Sequence, residues 1–144
     1  EELAREKALE NNRIDDLDLH CVPASVAISA QYFAKIVEEI GDNAFRYSTK
    51  GTPVYFGTVT EDNSLLMMII DRGRGMAAEQ IENIGAYVQF NRKVYEQQGS
   101  GLGLTVAKQL IEMHGGSLSI QSDVDHGTTV TVRLPLAAGS AVPE

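Results

Sequence analysis

The hydrophobic positions along the chain change period several times, and each change predicts an element. Leu17, Leu19 and Cys21 alternate with Asp16, Asp18 and His20, the period of a short strand. Over residues 23–47 the apolar positions recur at helical spacing, and Pro23 offers a φ already set for a helix start, so one long helix is expected. Two strand-like runs follow, 54–60 and 65–71, joined by the turn-like Glu61-Asp62-Asn63-Ser64. Residues 77–84 read as a short helix. Residues 85–100 are polar and poorly periodic, which predicts a mobile loop. Residues 102–114 form an amphipathic pattern with Val106, Ala107, Leu110 and Ile111 on one face, ended by Gly115-Gly116. Leu118/Ile120 and Val130/Val132/Leu134 alternate as two more strands around a turn containing Asp125 and Gly127. Helices at separated places and largely antiparallel hairpins imply an α+β sandwich, one mixed sheet with helices on one face.

Composition narrows the class. A length of 144 residues suits one domain with a real core. Its polar, helix-prone start (1–13) reads as a connecting helix or linker, residues 14–137 as the domain, and 138–144 as a flexible tail. A net charge of −8 argues against nucleic-acid binding through a basic surface, yet leaves room for a phosphate ligand held by local cations and backbone N–H groups. Cys21 is the only cysteine, which excludes an internal disulfide and fits a reducing, cytoplasmic setting. The longest apolar run, 65–70, is too short to span a bilayer. The chain reads as a fragment of a longer protein, with no membrane contact of its own.

Four constellations carry candidate chemistry. On the long helix, at about 100° per residue, Phe33, Ile36, Val37, Ile40 and Ala44 form a core stripe. Glu39, Asn43 and Arg46 fall on the strip beside it, with Tyr47 on the seam. An amide oxygen and a carboxylate suit Mg²⁺, a guanidinium neutralises phosphate, and a ring stacks on a base; the same strip also reads as a solvated flank. Next, Asp71-Arg72-Gly73-Arg74-Gly75-Met76 follows an apolar strand. There a carboxylate can accept from an exocyclic amine and glycines admit a flat ligand, though a tight turn has the same pattern. Third, Gly99-Ser100-Gly101-Leu102-Gly103-Leu104 runs into a helix whose free N–H groups attract phosphate. It lacks the Gly-Lys-Ser/Thr of a Walker loop and the βαβ context of a dinucleotide fold, and a hinge is the other reading. Last, Gly127-Thr128-Thr129 opens the final strand, where a threonine hydroxyl can back up a base-binding carboxylate, or simply turn a hairpin.

Taken in order, these four motifs resemble the histidine-kinase-like (GHKL) ATPase superfamily over most of the chain, from about Leu17 to Leu136. The likeness is strongest to catalytic domains of bacterial sensor histidine kinases. Arg46-Tyr47-Ser48 after Asn43-Ala44 resembles their N box, and Phe90-Asn91-Arg92 their F box. The stretch 99–104, with His114-Gly115-Gly116, resembles their second glycine box. The resemblance implies a Bergerat-type two-layer α/β sandwich that holds ATP between the long helix and a flexible lid. It implies Asn43 on Mg²⁺, Arg46 at phosphate, Tyr47 on the adenine, and Asp71 accepting from the adenine amino group in a pocket shaped by Gly73, Gly75 and Met76. Thr128 would support that pocket. Residues 85–99 would be the lid, anchored by Phe90, with Arg92 and Lys93 reaching the phosphates. Gly99, Ser100, Gly101, Leu102, Gly103 and Leu104 would form the phosphate-binding turn. The implied partners are a phosphoacceptor-histidine domain, upstream or in trans, and a downstream response regulator.

Two features of the sequence qualify the resemblance. No phosphoacceptor box is present: His20 precedes Cys-Val-Pro on an expected strand, so the acceptor histidine is upstream, on another protein, or absent. Glu39 stands one turn before Asn43, where ATPase and serine-kinase branches of the superfamily place a general base. Glu39 therefore keeps open hydrolysis or hydroxyl phosphorylation beside histidine phosphorylation. A nucleotide-sensing module without catalysis is the third reading. His114 and His126 need no role beyond element ends.

Overall fold

The computed structural model describes residues 1–85 and 102–137. Five strands form one sheet in the order β1-β2-β3-β5-β4, with β1 (Leu17–His20), β2 (Val54–Glu61), β3 (Ser64–Asp71), β4 (Ser117–Ser122) and β5 (Thr128–Pro135). β1 runs parallel to β2, and every other pairing is antiparallel. The helices are α1 (Glu2–Glu10), α2 (Ala30–Arg46), α3 (Ala78–Gly85) and α4 (Leu102–Met113). This is the expected α+β arrangement with a mixed sheet.

The strand alternation puts one face of the sheet in the core. The register aligns Phe56, Ile69, Val130 and Ile120 across four strands, and Met67, Val132 and Leu118 across three. Ile36, Val37, Ile40, Ala44 and Phe45 of α2 and Leu104, Ala107 and Ile111 of α4 close over that face. Each fully buried aliphatic side chain contributes about 1.5–3 kcal/mol. On the opposite face Val59 and Met68 are exposed. Val106 and Leu110 of α4 are only partly buried; the inner stripe of that helix runs through 104, 107 and 111, at i, i+3 and i+7.

Two segments depart from the pattern reading. α2 begins at Ala30, capped by Ser29, whose side chain accepts from the Tyr32 N–H at 3.3 Å. Residues 23–29 are drawn instead to the end of β5: Val26 bridges Leu136, Ala27 N–H donates to Pro135 at 2.9 Å, and Ala137 N–H donates to Ser25 at 2.8 Å. A backbone partner more than 100 residues away outcompetes the helix that Pro23 locally permits. The second departure is α1. It is a helix, as expected, but Ala4 and Ala8 are buried against the core and Lys7 reaches Asp42 of α2 at 3.3 Å, so it packs as part of the body.

Ser29→Ala should lower stability by about 1 kcal/mol, and Ile36→Ala by about 2–5 kcal/mol. Urea unfolding checks both, and equal losses would contradict the burial described.

Candidate functional site

The site is built where β3 and β5 end beside the C-terminal turns of α2. Asp71 is the last residue of β3 and pairs across the ladder with Thr128, the first of β5. Their alternation turns both inward, and both are buried, at 6% exposure each. A carboxylate so placed needs partners. Its Oδ1 accepts the Gly73 N–H at 2.8 Å, and the Thr128 backbone amide also donates to it. Burial pushes the Asp71 carboxyl above the ordinary aspartate range, while the two amides and, more weakly, the charge of Arg13 hold it down.

The turn after Asp71 folds tightly onto α2. A Cβ at Gly73 would meet the Tyr47 carbonyl oxygen and, at 2.9 Å, Asp71 Oδ1, so only glycine lets the two backbones approach. The next peptide donates from Arg74 N–H to the same Tyr47 carbonyl at 3.2 Å. The exposed Arg74 side chain turns back so that its guanidinium lies 4.1 Å from the centre of the Tyr47 ring. Behind the turn, Ser122 acts as a junction. Its Oγ accepts from Met76 N–H at 2.7 Å and donates to the Gly127 carbonyl at 2.8 Å. With that proton committed, the Thr128 hydroxyl is the donor in their 2.9 Å contact.

A small cavity of about 20 Å³ lies between these elements, lined among others by Asn43, Tyr47, Asp71, Gly75, Met76 and Thr128. Six residues singled out from three separate motifs thus meet around one space. Arg74 and Gln80 also line it, and neither was singled out from the sequence. Ser122 was missed too: nothing in a strand-end serine announces a partner 46 residues earlier. The motif Asp71-Arg72-Gly73-Arg74-Gly75 contained Arg74, but its spacing carries no sign of the fold-back onto Tyr47.

The remaining candidates fall around this space. Arg46 is exposed in the last turn of α2. Glu39, one turn before Asn43, pairs through Oε1 with Lys35 at 2.6 Å and holds that ammonium above its usual range. Its other oxygen lies where a Cβ of Gly103 would be, so Glu39 abuts the start of α4. Leu104 sends its side chain into the core, which leaves its backbone for any ligand. Leu102 opens α4. Phe90, Arg92, Lys93, Gly99, Ser100 and Gly101, and with them the expected lid, lie outside the described residues. His20 is exposed, bonded to Asp18 at 2.7 Å and stacked on Tyr55, away from the site.

Among the described residues no group of three or more His, Cys, Asp or Glu forms a metal cage. A Mg²⁺ ion often binds without one, through one or two protein oxygens plus substrate phosphates and water, and the amide of Asn43 fits that donor set.

Known proteins share this fold. Residues 29–138 match the family described as histidine kinase-, DNA gyrase B- and HSP90-like ATPase. An uncharacterized sensor-like histidine kinase of Rhizobium meliloti (strain 1021) is 34% identical over 111 residues, covering 76% of this chain and 21% of the relative. Sporulation kinase D of Bacillus subtilis (strain 168) is 28% identical over 116 residues, covering 81% and 22%. The chain thus spans about a fifth of the length of these two relatives. Among solved structures, the mycobacterial sensor histidine kinase MprB superposes with a TM-score of 0.75 at 23% identity, over 94% of this chain and 93% of that one. Full-length ShkA in complex with AMPPNP superposes with a TM-score of 0.71 at 20% identity, over 97% of this chain and 30% of that one. With 110 contiguous residues matched to the family and the polar site at the edge of its core, this chain belongs to the histidine kinase-, DNA gyrase B- and HSP90-like ATPase family, as an ATP-binding domain of the histidine-kinase kind.

Proposed function

We propose that this domain binds Mg-ATP with the base at Asp71 and passes the γ-phosphoryl group to a histidine outside the described chain. The observation that carries this is the buried Asp71 carboxylate, fixed by backbone amides at a strand end and sharing one cavity with Asn43 and Tyr47. One carboxylate oxygen is taken by Gly73, and the group retains acceptor capacity for an exocyclic amine. The cavity has room for about one water, so a base enters when the exposed Arg74 or the half-buried Met76 side chain turns outward. Asn43 would hold Mg²⁺ against the phosphates, and Arg46 would neutralise phosphate charge. Residues 99–104 would offer backbone N–H groups to phosphate, joined by Arg92 and Lys93. Held by Asn43, Mg²⁺ would supply charge neutralisation to the phosphate oxygens. The attacking neutral imidazole needs little help from a base. Support comes from the named sensor kinases among the relatives and from the AMPPNP complex of one structural neighbour. The partners of this reading are a phosphoacceptor-histidine domain and a response regulator, in the cytoplasm. No helix among the described residues is long and apolar enough to cross a membrane.

A second reading, hydrolysis or serine phosphorylation with Glu39 as general base, draws on the position of that carboxylate beside Gly103. One of its oxygens is already engaged by the Lys35 ammonium at 2.6 Å.

Asp71→Asn should erase the preference for ATP over GTP, with both bound weakly in calorimetry; wild-type ATP affinity in that variant would refute the base assignment. The raised Asp71 pKa gives two opposite pH trends. As pH falls through the window above the ordinary aspartate value, the folded state takes up a proton that the unfolded state does not, so stability rises. ATP affinity falls over the same window, because the accepting carboxylate is lost. Asp71→Asn should show neither trend.

Asn43→Ala should abolish the Mg²⁺-dependent part of ATP affinity while leaving Mg-free adenosine binding intact; unchanged Mg²⁺ dependence would remove the metal role. Incubation with Mg²⁺ and γ-labelled ATP beside the phosphoacceptor region should give acid-labile label on that region with little free phosphate. Phosphate release by this domain alone, lost in Glu39→Gln, would favour the hydrolytic reading.

A further inference from the structure

Arg13 lies just beyond α1 and is 4% exposed. A guanidinium has five N–H donors in a rigid fork, and burial makes each unpaired one costly. Here the fork is fully matched. Nε donates to the Asp16 carboxylate, Nη1 to the carbonyls of Phe45 at 2.9 Å and Ser48 at 3.0 Å, and Nη2 to Ser48 Oγ at 3.2 Å and the Thr52 carbonyl at 3.1 Å. The guanidinium carbon also sits 5.5 Å from the centre of the Phe45 ring. Asp16 is anchored in turn by the Gly51 N–H at 3.0 Å, and that bond together with Arg13 holds its carboxyl below the ordinary range.

Three of the five acceptors belong to Phe45 and Ser48, at the end of α2. The last carbonyls of a helix lack intrahelical donors and form its negative pole, so a buried cation there satisfies both needs. This end also carries the site: Asn43 lies two residues before Phe45, and Tyr47 lies between the two anchors. The Tyr47 carbonyl is the point on which the Gly73-Arg74 turn rests, and that turn leads back to Asp71.

We propose that Arg13 is a positioning residue for the nucleotide pocket, fixing the end of α2 so that Asn43, Tyr47 and the turn after Asp71 keep their spacing, and thereby tying α1 to nucleotide affinity. The inference rests on the reading of that pocket as the ATP site. Lysine cannot replace the arginine fully, because three donors on one atom cannot span acceptors on Asp16, Phe45, Ser48 and Thr52. Nor is the effect general destabilisation: a core truncation at the far end of the sheet leaves the end of α2 untouched.

The test compares Arg13→Met, Arg13→Lys and the control Leu134→Ala for Mg-ATP affinity by calorimetry and for stability by urea unfolding. Leu134 sits at the opposite end of β5 from Thr128 and is buried in the core. The expected result is that Arg13→Met weakens Mg-ATP binding by about tenfold or more, that Arg13→Lys recovers part of this, and that Leu134→Ala stays within about twofold of wild type despite a comparable stability loss. Arg13→Met or Arg13→Lys binding as tightly as wild type would overturn the proposal. So would affinity that tracks stability alike in all three variants. Where Arg13→Met does not fold, Arg13→Lys against Leu134→Ala decides by the same criterion. Asp71→Asn, measured alongside, separates the two failures. Affinity lost there but kept in both Arg13 variants rejects the clamp alone, and affinity kept in Asp71→Asn rejects the site reading beneath it.

Discussion

A carboxylate withdrawn from water has to be given hydrogen-bond donors, and the burial of Asp71 sets terms that much of the surrounding structure meets. Asp71 ends a strand on the core side, so its donors come from nearby backbone: the Gly73 N–H in the following turn and the Thr128 amide at the start of the neighbouring strand. The first donor requires a turn tight enough to press on Tyr47, which requires glycine. The second requires that β5 start level with the end of β3, a register continued down eight paired positions to Pro135. Ser122 then locks the two turns together through Met76, Gly127 and Thr128. A polar site at the rim of a close-packed core is thereby held by covalent neighbours and sheet register rather than by long side chains.

The helix α2 serves two faces at once. Its core stripe is bound to the sheet and to α4, and this fixes the height and rotation of the polar strip beside it. Asn43 and Tyr47 therefore reach the Asp71 cavity because Ile36, Ile40 and Ala44 are buried. Near its middle, Glu39 meets Gly103 at the start of α4, where the absence of a side chain brings the two helices close. At its end, the buried Arg13 supplies donors that the helix cannot supply itself. The site thus draws on sheet register, on helix packing and on the N-terminal segment together.

Much of the fold was legible because its signals are local. Alternation at Leu118/Ile120 and Val130/Val132/Leu134 gave strands that the structure contains, and the Asp71-Gly73-Gly75 motif and Gly115-Gly116 fell at element ends where backbone must turn. The long helix was visible from its stripe, but its start was not. Residues 23–29 have the composition to continue it and are instead bonded to 135–137, a partner no local pattern reveals. The polar residues of α1 suggested a linker, while Ala4 and Ala8, small enough to vanish from a hydrophobicity pattern, are buried in the core.

By itself the sequence determined the element types, the helical strip of Glu39, Asn43 and Arg46, the Asp71 motif and the family resemblance, because each is written in spacing over a few residues. Only the tertiary structure decided that Asn43, Tyr47, Asp71 and Thr128 share one cavity, that Arg74 folds back on Tyr47, that Ser122 joins the turns, and that Arg13 closes the end of α2. The bonds of Arg13 to α2 and the loop beyond it span 32 to 39 residues of chain. An arginine in a polar stretch carries no mark of such partners. What selects them is the cost of leaving five buried donors unmatched, a quantity that exists only once the chain has folded.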